Sequence, residues 1–213
     1  MAVSRAGGLG FVGAGYADND FGERELAAAR IEEPELPIGC GIISWCLAQD
    51  RSPLDRLLAL QPATLMLAFA DPAPFAPVVS AAGIALTCQV HTLEHARRAL
   101  DAGATVVIAQ GSEAGGHGRD ARGLMSFLPE LQDLIAARSP ETLLIGAGGI
   151  ADGRGLAAAL TLGADGVMIG TRLWATSEAV VDEAMIVKAL GADGDSTIRT
   201  RVYDILKGRG WPK

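Results

Sequence analysis

Short apolar runs recur along the chain, and between them lie longer stretches in which alanine and leucine return at helical spacing. The two patterns alternate every 20–30 residues or so, roughly the signature of repeated strand–helix units around a parallel sheet. Strands are predicted over residues 10–16, 36–45, 64–69, 85–90, 105–110, 143–147 and 166–169. Helices are predicted over residues 21–30, 52–60, 73–82, 92–102, 124–137, 152–162 and 180–190. Asp18, Asn19 or Asp20 can cap the first of these, Ser52 followed by Pro53 opens the second, and Thr92 caps the fourth. The count is about seven units, whereas a closed (β/α) barrel needs eight strands. The opening stretch from Ala2 to Gly10 reads as a helix end running into a glycine turn and a strand, the way a second unit begins. The expected fold is therefore α/β, a TIM (β/α)8-type barrel missing its first strand. Residues 1–213 are expected to form a single, N-terminally incomplete barrel domain, with no linker or low-complexity tract.

Composition narrows the function. The chain has 213 residues, 49% hydrophobic and 20% charged, which is the balance of a globular domain with a sizeable core. A net charge of −7 argues against nucleic acid and against a basic membrane-surface role, but leaves room for a small anion held by local groups. Cys40, Cys46 and Cys88 are an odd number, and the first two lack zinc-ligand spacing. Cys40 and Cys88 lie in apolar runs and read as buried free thiols, which suits a reducing cytosol and a cytoplasmic location. No metal site is expected. The start lacks the pattern of a secretory signal, and no apolar run is long enough to span a bilayer.

The stretch around which the chain is organised runs from Ile108 to Gly118. It follows the predicted strand over 105–110 and brings Gln110, Glu113, His117 and four glycines together. Gly115 and Gly116 let the backbone come close to a ligand, and His117 stands at a strand's carboxyl end, where such folds put their chemistry. Glu113, four residues before His117, either orients and charges the histidine or is a surface carboxylate. His91 and His95 read as exposed or capping residues.

Two further glycine loops leave consecutive strands. One holds Gly146, Gly148 and Gly149, and the other Gly170 and Thr171. Each offers backbone N–H groups near a helix start, and the last two strand loops of a (β/α) barrel are its usual phosphate site. Thr171 adds a hydroxyl donor. Neither loop has the dinucleotide-binding spacing, and no Walker lysine is present. A mononucleotide such as FMN suits this arrangement. Gln89 and Gln110, ending neighbouring strands, either hydrogen-bond a flavin's pyrimidine edge or are satisfied polar groups at strand ends.

These stretches together resemble the nitronate monooxygenase family, formerly the 2-nitropropane dioxygenases. The resemblance is carried by residues 6–10, by the run from Gln110 to His117, by residues 146–155 and by residues 163–172. The tail from Arg199 to Asp204, with Trp211 and Pro212, is similar too. It implies an FMN-binding TIM barrel, a flavoprotein oxidoreductase that oxidises alkyl nitronates or nitroalkanes with O2. His117 would act near the flavin as base or as partner of the nitronate. Gly116, and with it Gly115, would border the flavin, and Gln89 would stand against its ring. Gly148, Gly149, Gly170 and Thr171 would take the phosphate. Two departures stand out. The family's first strand, with a proline–methionine stretch over the flavin, is absent. Gly39-Cys40-Gly41-Ile42 also has glycine where several members place asparagine.

Two other functions compete. An FMN-dependent enoyl-thioester reductase using NAD(P)H shares the Gly-Gly-His loop. A truncated barrel that binds flavin or phosphate without activity follows from the missing strand, whose exposed sheet edges would favour a homo-oligomer.

Overall fold

Strands form where the apolar runs lie: β1 (Gly10–Gly15), β2 (Ile38–Ile43), β3 (Thr64–Ala68), β4 (Ala85–Val90), β5 (Val106–Gln110), β6 (Leu143–Ala147) and β7 (Gly166–Met168). In the computed structural model, which describes residues 1–16, 20–119, 122–200, 202–208 and 211, they make one parallel sheet in chain order. Each connection carries a helix: α2 (Phe21–Glu32), α3 (Ser52–Ala59), α4 (Ala76–Ala81), α5 (Leu93–Asp101), α6 (Leu124–Arg138) and α7 (Gly153–Thr161). A short α1 (Ala2–Arg5) precedes β1, and α8 (Thr171–Trp174), α9 (Glu183–Leu190) and α10 (Val202–Leu206) follow β7. This is the expected TIM-barrel type of arrangement with seven strands among the described residues. β1 and β7 are the edges of the sheet.

Strand alternation sorts side chains to two faces. Cys40, Ile42, Leu65, Leu67, Leu86, Cys88, Val107, Ala109 and Leu144 face the helices and join the apolar cluster that holds the helices on. Helix α6 contributes Leu124, Phe127, Leu128, Leu131 and Ile135, the i, i+3, i+4, i+7 stripe of an amphipathic helix. The other face carries Phe11, Met66, Thr87, Gln89, Ile108 and Gln110. There Gly39 and Gly41 make room for larger neighbours: a Cβ would fall 2.7 Å from the Phe11 ring and 2.6 Å from Met66 Cε. Phe11 and Met66 thus fill the space at the two glycines.

The sheet curls. Tyr16 follows β1 and His117 follows β5, four strand positions apart, which is about 19 Å across a flat sheet. Tyr16 Oη and His117 Nε2 are 3.4 Å apart.

Local chemistry moved several element ends. Thr92 caps α5 as expected, its hydroxyl accepting from His95 N at 3.1 Å. Asp20 holds the N-cap position of α2 without a side-chain capping bond, and Asp18 and Asn19 lie outside the described residues. Ser52 is the first helical residue of α3 rather than its cap, and its N–H is taken by the Asp50 carboxylate at 2.9 Å. The predicted strand over 36–45 stops at Ile43 and turns into a 3-10 helix, Ser44–Ala48, where Ser44 Oγ donates to Ala68 O at 2.9 Å. Helix α4 starts at Ala76, and residues 73–75 before it form a turn in which Phe75 N and Ala76 N both donate to Pro72 O. Asp182 caps α9, so residues 180–182 stay outside it. Cys40 and Cys88 are buried free thiols, and Cys46 is half-buried. Among the described residues no helix is long and apolar enough to cross a membrane, and no cluster of side chains could hold a metal ion.

Candidate active site

The loop after β5 is pinned at three points. Gly111 N donates to Ala147 O at the end of β6 (2.9 Å), and Ser112 N donates to Arg122 O (2.9 Å). The Glu113 carboxylate accepts from Leu124 N at 2.9 Å, at the start of α6. A carboxylate is favourable there, because the first N–H groups of a helix lack partners and carry partial positive charge. Glu113 therefore serves the helix and does not orient His117.

Past these anchors the chain turns at Gly116, whose φ of +70° is the left-handed conformation glycine tolerates. His117 then enters a cluster of rings. Trp211 stacks on it, centroids 4.1 Å apart and planes 13° off parallel. Tyr16 and Trp45 stand edge-on to Trp211 at 5.8 and 5.7 Å, and Phe69 at 4.8 Å. His117 Nε2 lies 2.7 Å from Asp204 Oδ1 on α10. The Trp211 indole N–H donates to Tyr16 Oη at 3.2 Å. Phe69 has φ of +68°, a costly backbone for an aromatic residue, and such strain clusters at functional sites.

Beneath the rings runs an amide network. Gln110 Oε1 accepts from Gln89 Nε2 at 2.9 Å and from His91 Nε2 at 2.6 Å, while Gln110 Nε2 donates to His117 O at 3.1 Å. Gln110 thus holds the histidine loop and the end of β4 together. His91, expected to be exposed or capping, is 2% exposed and stacks on Phe69 at 5.1 Å. Burial pushes its pKa down to about 4, against the opposing pull of the Gln110 hydrogen bond. His95 is also lowered, first by burial and then by Arg119 and Arg98.

The glycine loops meet the histidine loop from the other side. A Cβ on Gly115 would collide with Thr171 Oγ1 at the start of α8. Gly148 (φ +114°) lies against Ala114, where a Cβ would be 3.1 Å from that residue's Cβ, and Gly149 (φ +67°) lies against Glu113. At Gly116 and Gly170 a side chain would project into open space. Gly115, Gly148, Gly149 and Thr171 are therefore gathered at one place, with Gly116 and Gly170 beside them. Gly146 is not with them. It sits within β6, and its missing side chain admits Leu128 and Ala159 from the helix layer.

Three side chains at His117 were not singled out from the sequence as site residues: Tyr16, Asp204 and Trp211. Asp204 and Trp211 stand 87 and 94 positions beyond His117. No spacing rule reaches that far. The only signal was the family-like tail, in which Arg201 and Pro212 lie outside the described residues.

Residues 45–210 match the protein-family model described as nitronate monooxygenase. Over its whole length the chain is 37% identical to nitronate monooxygenase npaC of Metarhizium robertsii, and it spans 66% of that protein. Among solved structures, FabK from Thermotoga maritima superimposes with a TM-score of 0.81 at 30% identity, over 94% of this chain and 62% of that one. A nitroalkane oxidase from Streptomyces ansochromogenes superimposes with a TM-score of 0.69 at 28% identity, over 83% and 61%.

Proposed function

Because the chain belongs to the nitronate monooxygenase family, a family of flavin oxidoreductases, we propose that it uses FMN to oxidise alkyl nitronates, and the nitroalkanes they derive from, with molecular oxygen. The observation that carries this is His117, delivered by a glycine turn into an aromatic mouth, on a loop that meets two further glycine loops.

The residues present suit FMN. Gly170 leaves backbone uncovered beside the Thr171 hydroxyl, Gly148 and Gly149 lie next to it against Ala114 and Glu113, and these two loops would hold the phosphate. Gly115 and Gly116 would border the ring, with Gln89 and Gln110 at its polar edge. Beyond its bonds to Gln89, His91 and His117, Gln110 has at most one N–H to offer. The Trp45 indole N–H is buried without a hydrogen bond among the described residues, and it is a donor at the same mouth. When bound, FMN supplies the two-electron acceptor.

The chain's own residues do the rest. As neutral imidazole, His117 takes the α-proton of a nitroalkane. As imidazolium, it pairs with the nitronate anion so formed. Tyr16, Trp45, Phe69 and Trp211 would put an apolar wall beside that pair and so lower the share of its surroundings that is water, which strengthens it.

The first test is the visible spectrum of the purified protein, before and after anaerobic addition of a nitronate. A bound-flavin spectrum that bleaches supports the proposal. Bleaching by NADH alone would favour the enoyl-thioester reductase, and failure to take up FMN would favour the inactive barrel. The His117→Ala variant is expected to keep FMN but lose about 10²–10⁴-fold in turnover of a neutral nitroalkane. Near-normal turnover would remove His117 from the role of base.

A further inference from the structure

We infer that Asp204 is a positioning residue that fixes the tautomer and the ring orientation of His117, an assignment that rests on the role proposed for His117 above. Asp204 Oδ1 lies 2.7 Å from His117 Nε2, and the carboxylate is the more sheltered partner, 18% exposed against 42%. A carboxylate only accepts, so neutral His117 keeps its proton on Nε2 and carries its lone pair on Nδ1. The nitrogen that takes a proton is then Nδ1, on the other side of the ring.

No other carboxylate in the motif does this, since Glu113 is committed to Leu124 N. Tyr16 Oη is a more distant neighbour of Nε2 at 3.4 Å, and it already accepts the Trp211 indole N–H. The segment that carries Asp204 is itself docked on the histidine loop at two other points. The Arg199 guanidinium donates to Ala114 O, and Trp211 stacks on the imidazole face. Stacking fixes the plane of the ring, and the Asp204 bond fixes its rotation within that plane. A carboxylate behind a working histidine is a recurrent device for holding one tautomer.

The readout is the ring-nitrogen chemical shifts of 15N-labelled protein, with and without FMN. The chain has three histidines, so the signals lost in His117→Ala assign the ring. Wild-type His117 is expected as the Nε2–H tautomer. Asp204→Ala should give a mixture of tautomers. Asp204→Asn, whose amide can donate to Nε2, should move the proton toward Nδ1, and Asp204→Glu should restore the wild-type signal. The His91 signals, set by Gln110, should stay in place in every variant and so report an intact fold. With FMN bound, Asp204→Ala should lower turnover of nitroethane about 10–100-fold. Turnover of the preformed ethyl nitronate should fall less, since no proton has to be removed. Wild-type ring shifts in both Asp204→Ala and Asp204→Asn would overturn the inference. So would a changed tautomer with unchanged turnover of nitroethane, where His117→Ala has itself lost that turnover. Failure of the His117 base role is a separate result: near-normal turnover in His117→Ala while Asp204 still sets the wild-type tautomer.

Discussion

His91 and His117 share one mouth and one amide network, and their surroundings make them different groups. His117 is partly open to solvent and faces a carboxylate, whereas His91 is enclosed between the Phe69 and His95 rings and its Nε2 meets an amide oxygen. Burial lowers the His91 pKa from 6.5 to about 4, so the unfolded chain binds this proton more readily than the native one. The contribution of His91 to native stability is therefore fully present above pH 6.5 and falls as the pH drops toward 4, by about 3 kcal/mol at most. The urea midpoint of wild type is expected to fall more between pH 7 and 4.5 than that of His91→Asn, and equal drops would contradict this assignment. The histidines were plain in the sequence, but their environments were not. His91 directly follows the last residue of β4, and it is closed over by Phe69 after β3, Gln110 on β5 and His95 on α5.

Elements were legible where local chemistry repeats. Helices α4, α5 and α7 all stop in the same way: Gly83, Gly103 and Gly163 take left-handed φ. The next residue bonds back five positions, as Ala104 N does to Ala99 O at 3.0 Å. At Gly103 a Cβ would meet nothing, so the cost of Gly103→Ala is purely conformational. It should destabilise the protein by about 1–2 kcal/mol in chemical denaturation, and an unchanged midpoint would refute the left-handed stop. Helices α8 and α10, of four and five residues, escaped prediction. A stretch that short cannot show a helical period, and its stability comes from what it docks against.

At the scale of the whole molecule, curling brings together segments that the chain keeps far apart. Ala114, Gly148 and Thr171 follow β5, β6 and β7, yet the residues around them touch. Gly148→Leu combines a disfavoured φ with a clash against Ala114 and should force these loops apart. The expected outcome is loss of FMN binding by equilibrium dialysis with little change in far-UV circular dichroism. Stoichiometric FMN in this variant would remove Gly148 from the phosphate site. The apolar layer between sheet and helices stays in place, because Gly148 lies outside it.

The sequence by itself determined the strand–helix order, the parallel sheet, the family and the placing of His117 and the glycine loops at strand ends. Those features depend on periodicity, turn residues and motif spacing, all of which are local. Only the tertiary structure decided that Glu113 caps α6, that His91 is buried, that Gly146 faces the helix layer, and that Asp204, Tyr16 and Trp211 surround His117. Each of these is a contact between groups distant along the chain. Such contacts depend on how far the sheet curls and where the tail docks, and no local pattern records either.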